Sequence, residues 1–280
     1  MNKFYTNVSL YKDNLIVRGY ENGIEYQNRI AVEPHLYIDD PTGQSEWRTI
    51  NGKPVIKKKF PNITGDPEKR KREGKKEDGV PEGIMAWRTK NENKINMYGL
   101  QTSKSWYYIY YDYLSSTYPD QVKYDPSKIC VANIDIEVAA DEGFPDVELA
   151  EKPVTAIAVQ VGKKVIVLGC GDFVSQDPNH RYFKCDDEAD LLMKFIDVFG
   201  ILNPNTKKKK KIKWISKKDP VPGTWPDVLT GWNVERFDVP YLINRMNRVI
   251  GRNNAKKLSP WGMLDKNSRL EAMTGFKGWD

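Results

Sequence analysis

Residues 129–138 form an apolar run into which two carboxylates are set two positions apart. The run reads Ile-Cys-Val-Ala-Asn-Ile-Asp-Ile-Glu-Val, and the turn-forming residues Gly143 and Pro145 follow it. Its Ile and Val content and these bounding residues predict a buried strand. Because side chains at positions i and i+2 of a strand point to the same side of the sheet, we expect Asp135 and Glu137 to share one face.

Two carboxylates on one face of an apolar element repel each other and lose hydration, a cost that a bound cation offsets. Hard oxygen ligands of this kind suit Mg²⁺ or Mn²⁺. From this pair alone, a strand edge whose acidic residues simply face water is an equally open interpretation, since exposed acids are common.

A second segment, residues 228–250, predicts a strand, a loop and a helix. The apolar residues 228–229 end at Gly231, and apolar residues then recur with helical spacing at Leu242, Met246, Val249 and Ile250. Pro240 falls in the first turn of this helix, where proline is tolerated. Asp238 stands just before the helix, where it is either an N-cap or a third carboxylate over the strand ends.

The chain resembles the family B DNA polymerases, in particular those of T-even-type bacteriophages, in two motifs of their 3′–5′ exonuclease. The first motif is Asp135-Ile-Glu137 followed by Gly-Phe144-Pro. The second is Thr-Gly-Trp-Asn-Val-Glu-Arg-Phe-Asp238-Val-Pro-Tyr over residues 230–241. The resemblance extends over the whole chain, but only these motif segments are specific.

The resemblance implies a two-metal hydrolysis of the 3′-terminal phosphodiester, with two Mg²⁺ or Mn²⁺ ions as cofactors. Asp135 is expected to bridge both metals, Glu137 to bind one of them and orient the attacking water, and Asp238 to complete the shell of the second. All three would then be catalytic and metal-binding residues.

The same resemblance implies contacts with single-stranded DNA and with primer-template 3′ ends. Phe144 matches a loop aromatic that stacks against or wedges between terminal bases. Asn233 and Phe237, which flank Asp238, are expected to contact the frayed 3′ end.

Basic residues are concentrated in two short segments. Residues 57–76 contain nine Lys or Arg and three Asp or Glu, and residues 203–218 contain eight Lys and no acid. Such segments suit phosphate backbones, although solvated lysine loops are an open alternative. The candidate nucleic-acid-binding residues in the second segment are Lys207, Lys208, Lys209, Lys210 and Lys211.

The pattern of elements predicts a β-rich N-terminal domain over residues 1–127. Asn-Gly pairs at Asn22 and Asn51 indicate hairpin turns, and the Lys/Glu/Gly/Pro-rich residues 61–82 are expected to be mobile.

Residues 128–280 change to strands mixed with helices. We predict strands over residues 154–161 and 163–168 and a helix over residues 186–199 that buries Leu191, Leu192, Phe195 and Phe199. This pattern predicts an α/β fold, α+β for the whole chain. The resemblance makes the second domain an RNase H-like 3′–5′ exonuclease.

One part of the family pattern has no counterpart among the 280 residues. The third exonuclease motif, a Tyr followed four residues later by a metal-binding Asp, is absent, as are the polymerase palm motifs. We therefore expect the front part of a polymerase whose C-terminal polymerase part is supplied elsewhere, and a poor nuclease in isolation. A Tyr-x-x-x-Asp encoded beyond codon 280 would support this interpretation.

Two alternatives stay open: a stand-alone exonuclease, and a non-catalytic nucleic-acid-binding or regulatory module. The second is kept because the N-terminal domain of the resembled group is similar to an RNA-binding fold, so RNA is a further candidate partner. The sequence shows no apolar signal core and no stretch of transmembrane length, and its three cysteines lack paired spacing. We expect no membrane association and a location in the cytoplasm of an infected bacterial host.

Overall fold

The computed structural model of the chain describes residues 3–11, 13–74, 81–91, 93–98, 107–139, 143–200 and 226–264. The strands are β1 (Lys3–Tyr11), β2 (Asn14–Glu21), β3 (Ile24–Ala31), β4 (His35–Asp39), β5 (Val55–Lys59), β6 (Met97–Tyr98), β7 (Val131–Val138), β8 (Val154–Val161), β9 (Lys164–Gly169), β10 (His180–Lys184) and β11 (Val228–Thr230). The helices are α1 (Pro67–Arg72), α2 (Ile84–Asn91), α3 (Tyr107–Thr117), α4 (Glu188–Gly200), α5 (Asp238–Val249) and α6 (Arg252–Ala255), followed by a 3-10 helix over Lys256–Leu258.

The largest sheet has five strands in the order β10-β9-β8-β7-β11. Strand β8 pairs antiparallel with both β7 and β9, whereas β10 pairs with β9 and β11 pairs with β7 in parallel. A mixed sheet with α4 and α5 packed against it confirms the predicted α/β architecture. Strand β10 was not predicted, because its sequence His-Arg-Tyr-Phe-Lys lacks a regular apolar alternation.

Strand β7, which lies between β8 and β11, has one buried and one exposed face. Its buried side chains are Ala132, Ile134 and Ile136, and they join the hydrophobic core. The intervening residues Asn133, Asp135 and Glu137 are exposed. The apolar run of the sequence is therefore a strand that is buried on one side only, which leaves its carboxylates accessible.

Helix α4 begins two residues later than the sequence predicts. Asp187 precedes the first turn, and its carboxylate accepts a hydrogen bond from the Asp190 amide at 2.8 Å. An aspartate in this position is a good N-cap, so the helix starts at Glu188. The four predicted core residues of this helix, Leu191, Leu192, Phe195 and Phe199, are all buried.

Helix α5 follows the predicted amphipathic pattern, with Pro240 in its first turn. Leu242 and Met246 are fully buried. Val249 and Ile250 are partly buried and pack against the same core.

Both Asn-Gly pairs form turns, as predicted. Asn22 and Gly23 have φ values of 51° and 79°, and two successive positive φ values are typical of a type I′ hairpin turn. At the second pair, the Gly52 amide donates to the Thr49 carbonyl at 2.8 Å, and the Thr49 amide donates to the Lys53 carbonyl at 2.9 Å.

The basic stretch at 61–82 is more regular than the sequence suggests. Asp66 caps α1 by accepting a hydrogen bond from the Lys69 amide at 2.9 Å, and Pro67 occupies the first helical turn. The cap and the proline stabilise a helix here, although the Gly and Pro content of the stretch predicts irregular structure. Residues 75–80 lie outside the described part of the chain.

The chain divides into two compact units. The first comprises Met1–Asn7, Arg18–Tyr26 and Lys123–Asp280 and contains the five-stranded sheet, and the second comprises Val8–Val17 and Gln27–Val122. A boundary at 127/128 between two sequence domains stays a prediction. None of the helices described is both long and apolar enough to cross a membrane.

Candidate active site

Two candidate catalytic carboxylates lie on the exposed face of β7. Asp135 and Glu137 are both exposed, and the buried Ile136 lies between them. The pairing with β8 shifts register immediately after Glu137. Such bulges occur frequently beside active sites, where they redirect a side chain or end strand pairing.

The third carboxylate, Asp238, approaches β7 from α5. It is the first residue of the helix and is 3% exposed. Its Oδ1 accepts a hydrogen bond from the Ile136 amide at 3.1 Å. The N-cap position belongs to Phe237, which makes no side-chain capping bond, so the interpretation of Asp238 as an N-cap is wrong.

The bond between Asp238 and Ile136 follows from where β11 ends. The pairing of β11 with β7 stops at Thr230, opposite Asn133, so the Ile136 amide lies beyond the ladder. A buried amide needs an acceptor, and the carboxylate of Asp238 supplies it.

Gly231 lets the chain leave β11 at this point. A Cβ atom on Gly231 would lie 2.4 Å from the carbonyl oxygen of Ile134, which is backbone and cannot move aside cheaply. Only glycine allows so close an approach. The turn into the loop before α5 is thus packed directly on β7.

The surroundings of Asp238 disfavour its charged form. Burial raises the pKa of Asp238 above its usual value, and the charges of Asp135 and Glu137 raise it further, against the opposing effect of the Ile136 hydrogen bond. The sheet and the helix therefore bring Asp238 within electrostatic range of Asp135 and Glu137.

The donor chemistry fits a divalent cation. Among the described residues, no group of three or more His, Cys, Asp or Glu side chains is arranged to hold a metal ion by itself. Carboxylate oxygens such as those of Asp135 and Glu137 are the donor type that Mg²⁺ and Mn²⁺ prefer, and Mg²⁺ is usually bound by one or two carboxylates together with water and substrate phosphates.

Two of the aromatic candidates lie against each other. Phe144 is 77% exposed in the loop after β7, and its ring centroid lies 4.7 Å from that of Phe237. The Phe237 ring in turn lies 5.3 Å from that of Tyr241 in α5. Phe144 thus presents an accessible aromatic surface, and it packs against Phe237, the residue directly before Asp238.

Asn233 lies in the turn between β11 and α5. Its φ of 56° is in the left-handed region, where asparagine is more tolerated than most residues. The Asn233 carbonyl accepts hydrogen bonds from the amides of Arg236 and Phe237, so its backbone shapes the turn, while the residue itself is exposed.

Trp232 was not predicted as a site residue from the sequence. This residue is 93% exposed, in the turn between Gly231 and Asn233. Trp232 comes directly after the glycine that follows β11, and no apolar periodicity around it predicts burial. An aromatic residue in such a turn is a signal that could have identified it. The five lysines at 207–211 lie outside the described residues.

Comparisons with known proteins agree with the motifs. Residues 80–206 and 223–274 match the family described as "DNA polymerase family B, exonuclease domain". The chain is 29% identical over 291 residues to a DNA-directed DNA polymerase of Escherichia phage RB69, covering 93% of this chain and 27% of that protein. It is 28% identical over 305 residues to a DNA-directed DNA polymerase of Enterobacteria phage T4, covering 99% of this chain and 29% of that protein.

The chain thus spans less than a third of the length of either relative. The family match nevertheless covers more than half of it, including both carboxylate motifs. The α/β sheet described above is accordingly that of an RNase H-like exonuclease domain, preceded by a β-rich N-terminal part. The chain belongs to the family B DNA polymerases, through their exonuclease domain.

Proposed function

We propose that this chain is the N-terminal and 3′–5′ exonuclease portion of a phage DNA-directed DNA polymerase and serves proofreading during DNA replication. The observation that carries the proposal is the meeting of three carboxylates at β7, two on its exposed face and one buried at its edge. In this view, residues 1–127 are the N-terminal domain and residues 128–280 the exonuclease domain.

Asp135, Glu137 and Asp238 would hold two divalent ions, Mg²⁺ or Mn²⁺. When bound, such a pair supplies an activated water and stabilises the charge that develops on the leaving 3′ oxygen. The exposed Asp135 and Glu137 are free to reach a solvent-side ligand. Asp238 is held by its bond to the Ile136 amide, so one oxygen of its carboxylate is fixed in place before any ligand arrives.

Phe144, Asn233 and Phe237 would contact the 3′-terminal nucleotides. The exposed ring of Phe144, supported by Phe237 at 4.7 Å, suits stacking on an unpaired base. We add Trp232 to this group because its side chain is almost fully exposed beside the same turn. The five lysines at 207–211 would contribute sequence-independent contacts with the phosphate backbone.

The partners in this proposal are single-stranded DNA, primer-template 3′ ends and a C-terminal polymerase part. RNA bound through the N-terminal domain is a further proposed partner. The place of action is the cytoplasm of an infected bacterium, without a membrane partner.

A nuclease assay tests the proposal. The chain is incubated with a single strand labelled at its 3′ nucleotide, in Mg²⁺ or Mn²⁺, and release of the labelled nucleotide is measured. We expect slow release that Asp135→Ala and Asp238→Ala abolish and that Asp120→Ala, a change at an exposed aspartate outside both carboxylate motifs, leaves unaltered. Release that persists in the Asp135→Ala variant would contradict the carboxylate assignment. Strand binding without any release would favour the non-catalytic module.

A further inference from the structure

Helix α5 forms hydrogen bonds with residues 143–153, which belong to the loop between β7 and β8 and include Phe144. Four side chains on one side of the helix donate hydrogen bonds to backbone carbonyls of this loop: Tyr241, Asn244, Arg245 and Arg248. We call them the α5 donor row. Their spacing of three and four residues places them on one face of the helix.

Five of the six backbone carbonyls from Val147 to Lys152 accept these hydrogen bonds. Tyr241 Oη donates to the Lys152 carbonyl at 2.7 Å, and Arg248 Nη1 donates to the Leu149 carbonyl at 2.6 Å. Three further contacts complete the set: Asn244 Nδ2 to the Val147 carbonyl at 2.9 Å, and Arg245 Nη1 to the Ala150 carbonyl at 3.2 Å and the Glu151 carbonyl at 2.6 Å.

Arg245 is itself held on its other side. Its Nε and Nη2 donate to the two carboxylate oxygens of Glu188 at 2.7 and 2.6 Å. Glu188 Oε1 also accepts a hydrogen bond from the Val154 amide at the start of β8, at 2.7 Å. A bidentate arginine–carboxylate pair has a defined geometry, so the central member of the donor row is fixed relative to α4 and β8.

One residue among these hydrogen-bonded carbonyls has a strained backbone conformation. Ala150 is buried and has a φ of 42°, in the left-handed region that residues other than glycine, asparagine and aspartate rarely adopt. Such a conformation persists only when its surroundings impose it. The hydrogen bonds to the carbonyls on both sides of Ala150, from Arg248 and Arg245, provide that constraint.

The other end of the loop is also attached to the region of α5. The Phe144 ring lies on Phe237, the residue before the helix, and the Phe237 ring lies on Tyr241. We infer that the α5 donor row positions Phe144 relative to Asp238. One helix then determines the positions of both the Asp238 carboxylate and the Phe144 ring. This inference rests on the proposed contact of Phe144 with the 3′-terminal bases.

The variants Tyr241→Phe and Arg248→Met each remove one hydrogen-bond donor of the α5 donor row and keep most of the side chain. The matched control is Arg252→Met, which removes an exposed arginine of α6 that is not among the donors. Hydrogen exchange of the 143–153 peptide is measured in all variants, with the β8 peptide as internal reference. We expect about fivefold faster exchange for each hydrogen bond removed, the effect of a typical neutral hydrogen bond. Exchange as slow as in the Arg252→Met control would overturn the inference.

A second measurement tests the consequence for DNA. A single strand with 2-aminopurine as its 3′-terminal base is bound to saturation in EDTA, and the quenching of its fluorescence by stacking is recorded. We expect quenching that Phe144→Ala removes and that the Tyr241→Phe/Arg248→Met double variant reduces, whereas Arg252→Met does not.

Full quenching in the double variant would show that the donor row does not position Phe144, and it would overturn the inference with the proposed function intact. Quenching that Phe144→Ala leaves unchanged in the otherwise wild-type chain would instead contradict the proposed contact with DNA, and the positioning role would fail with it. The exchange experiment then separates the two failures, because it needs no DNA.

Discussion

At the scale of single residues, Asp238 is a carboxyl whose charged form the fold disfavours. It is buried, its charge is opposed by Asp135 and Glu137, and its pKa is raised in consequence. A carboxyl whose pKa is higher in the folded than in the unfolded chain binds protons more readily when folded, so its ionisation as pH rises destabilises the fold. The ionised group becomes favourable only with a cation beside it.

We therefore predict that Asp238→Asn stabilises the chain in EDTA at pH 7, by on the order of 1 kcal/mol. Asparagine keeps an oxygen acceptor for the Ile136 amide but removes the buried charge. The advantage should vanish as the pH falls below the unfolded pKa of aspartate, about 3.9, because both variants are then neutral. Thermal unfolding at several pH values measures this, with Asp120→Asn as the exposed control. A variant less stable than wild type at pH 7 would contradict this account of Asp238.

The same residue shows what a sequence can and cannot reveal. Spacing alone placed Asp135 and Glu137 on one face, because strand periodicity is a local property. The choice for Asp238 between helix cap and third carboxylate depended on a contact between residues 102 positions apart, which no local pattern encodes. Trp232 was missed for a similar reason, since the exposure of a single aromatic is decided by the surrounding fold.

At the scale of elements, the site depends on the close approach of the β11–α5 turn to β7. Gly231 sits against the Ile134 carbonyl with no room for a Cβ atom. We predict that Gly231→Ala destabilises the chain by about 1–3 kcal/mol, the usual cost of overpacking, because backbone must shift on one side or the other.

Gly171→Ala is the matched control, since a Cβ at that position meets nothing within 4 Å. Urea unfolding compares the two variants with wild type. The Gly171 variant should be neutral or slightly stabilised, because alanine reduces the freedom of the unfolded chain. Equal stability of the two alanine variants would show that the approach at Gly231 is not a tight one.

Element boundaries were predictable where local signals agreed. Strand β8 and helix α5 carry clear periodicities, and the hairpin at Asn22 has the expected turn residues. Helix α1 was missed because its stability comes from the Asp66 cap and the proline that follows, within a stretch whose composition suggests irregular structure. Strand β10 was missed because it is defined by pairing with β9 rather than by its own sequence.

At the scale of the whole molecule, the first compact unit combines N-terminal residues with the five-stranded sheet. A buried polar cluster lies within this unit. Arg18, 1% exposed, pairs with Glu25 at 2.8 Å and lies 3.6 Å from the buried Asp227. Asp227 Oδ2 also accepts hydrogen bonds from Tyr20 Oη at 3.0 Å and from the Cys130 amide at 2.9 Å. No sequence pattern indicated this cluster, because Asp227 is 207 positions from Tyr20 along the chain.

We predict that Arg18→Met destabilises the chain by about 3–5 kcal/mol, because it leaves the buried carboxylate of Asp227 and the half-buried carboxylate of Glu25 without their cation. Burial already raises the pKa of Glu25, and Arg18 opposes that rise, so the loss should grow with pH as the unpaired acid ionises. Lys184→Met is the control, since it removes a pair with Asp172 that is largely exposed and is worth at most about 1 kcal/mol. Similar losses from the two variants would show that the cluster contributes little.

The proposed function depends on a divalent-metal site formed by Asp135 and Glu137 of β7 and Asp238 of α5. Titration calorimetry of the chain with Mn²⁺ tests it most directly, because the measurement requires neither DNA nor turnover. We predict measurable binding to wild type and a loss of at least about tenfold in affinity for Asp135→Asn and for Glu137→Gln, since even groups one step removed from a metal alter its affinity by that factor. Asp120→Asn should bind as wild type does. Equal Mn²⁺ affinity in wild type, Asp135→Asn and Glu137→Gln would contradict the claim.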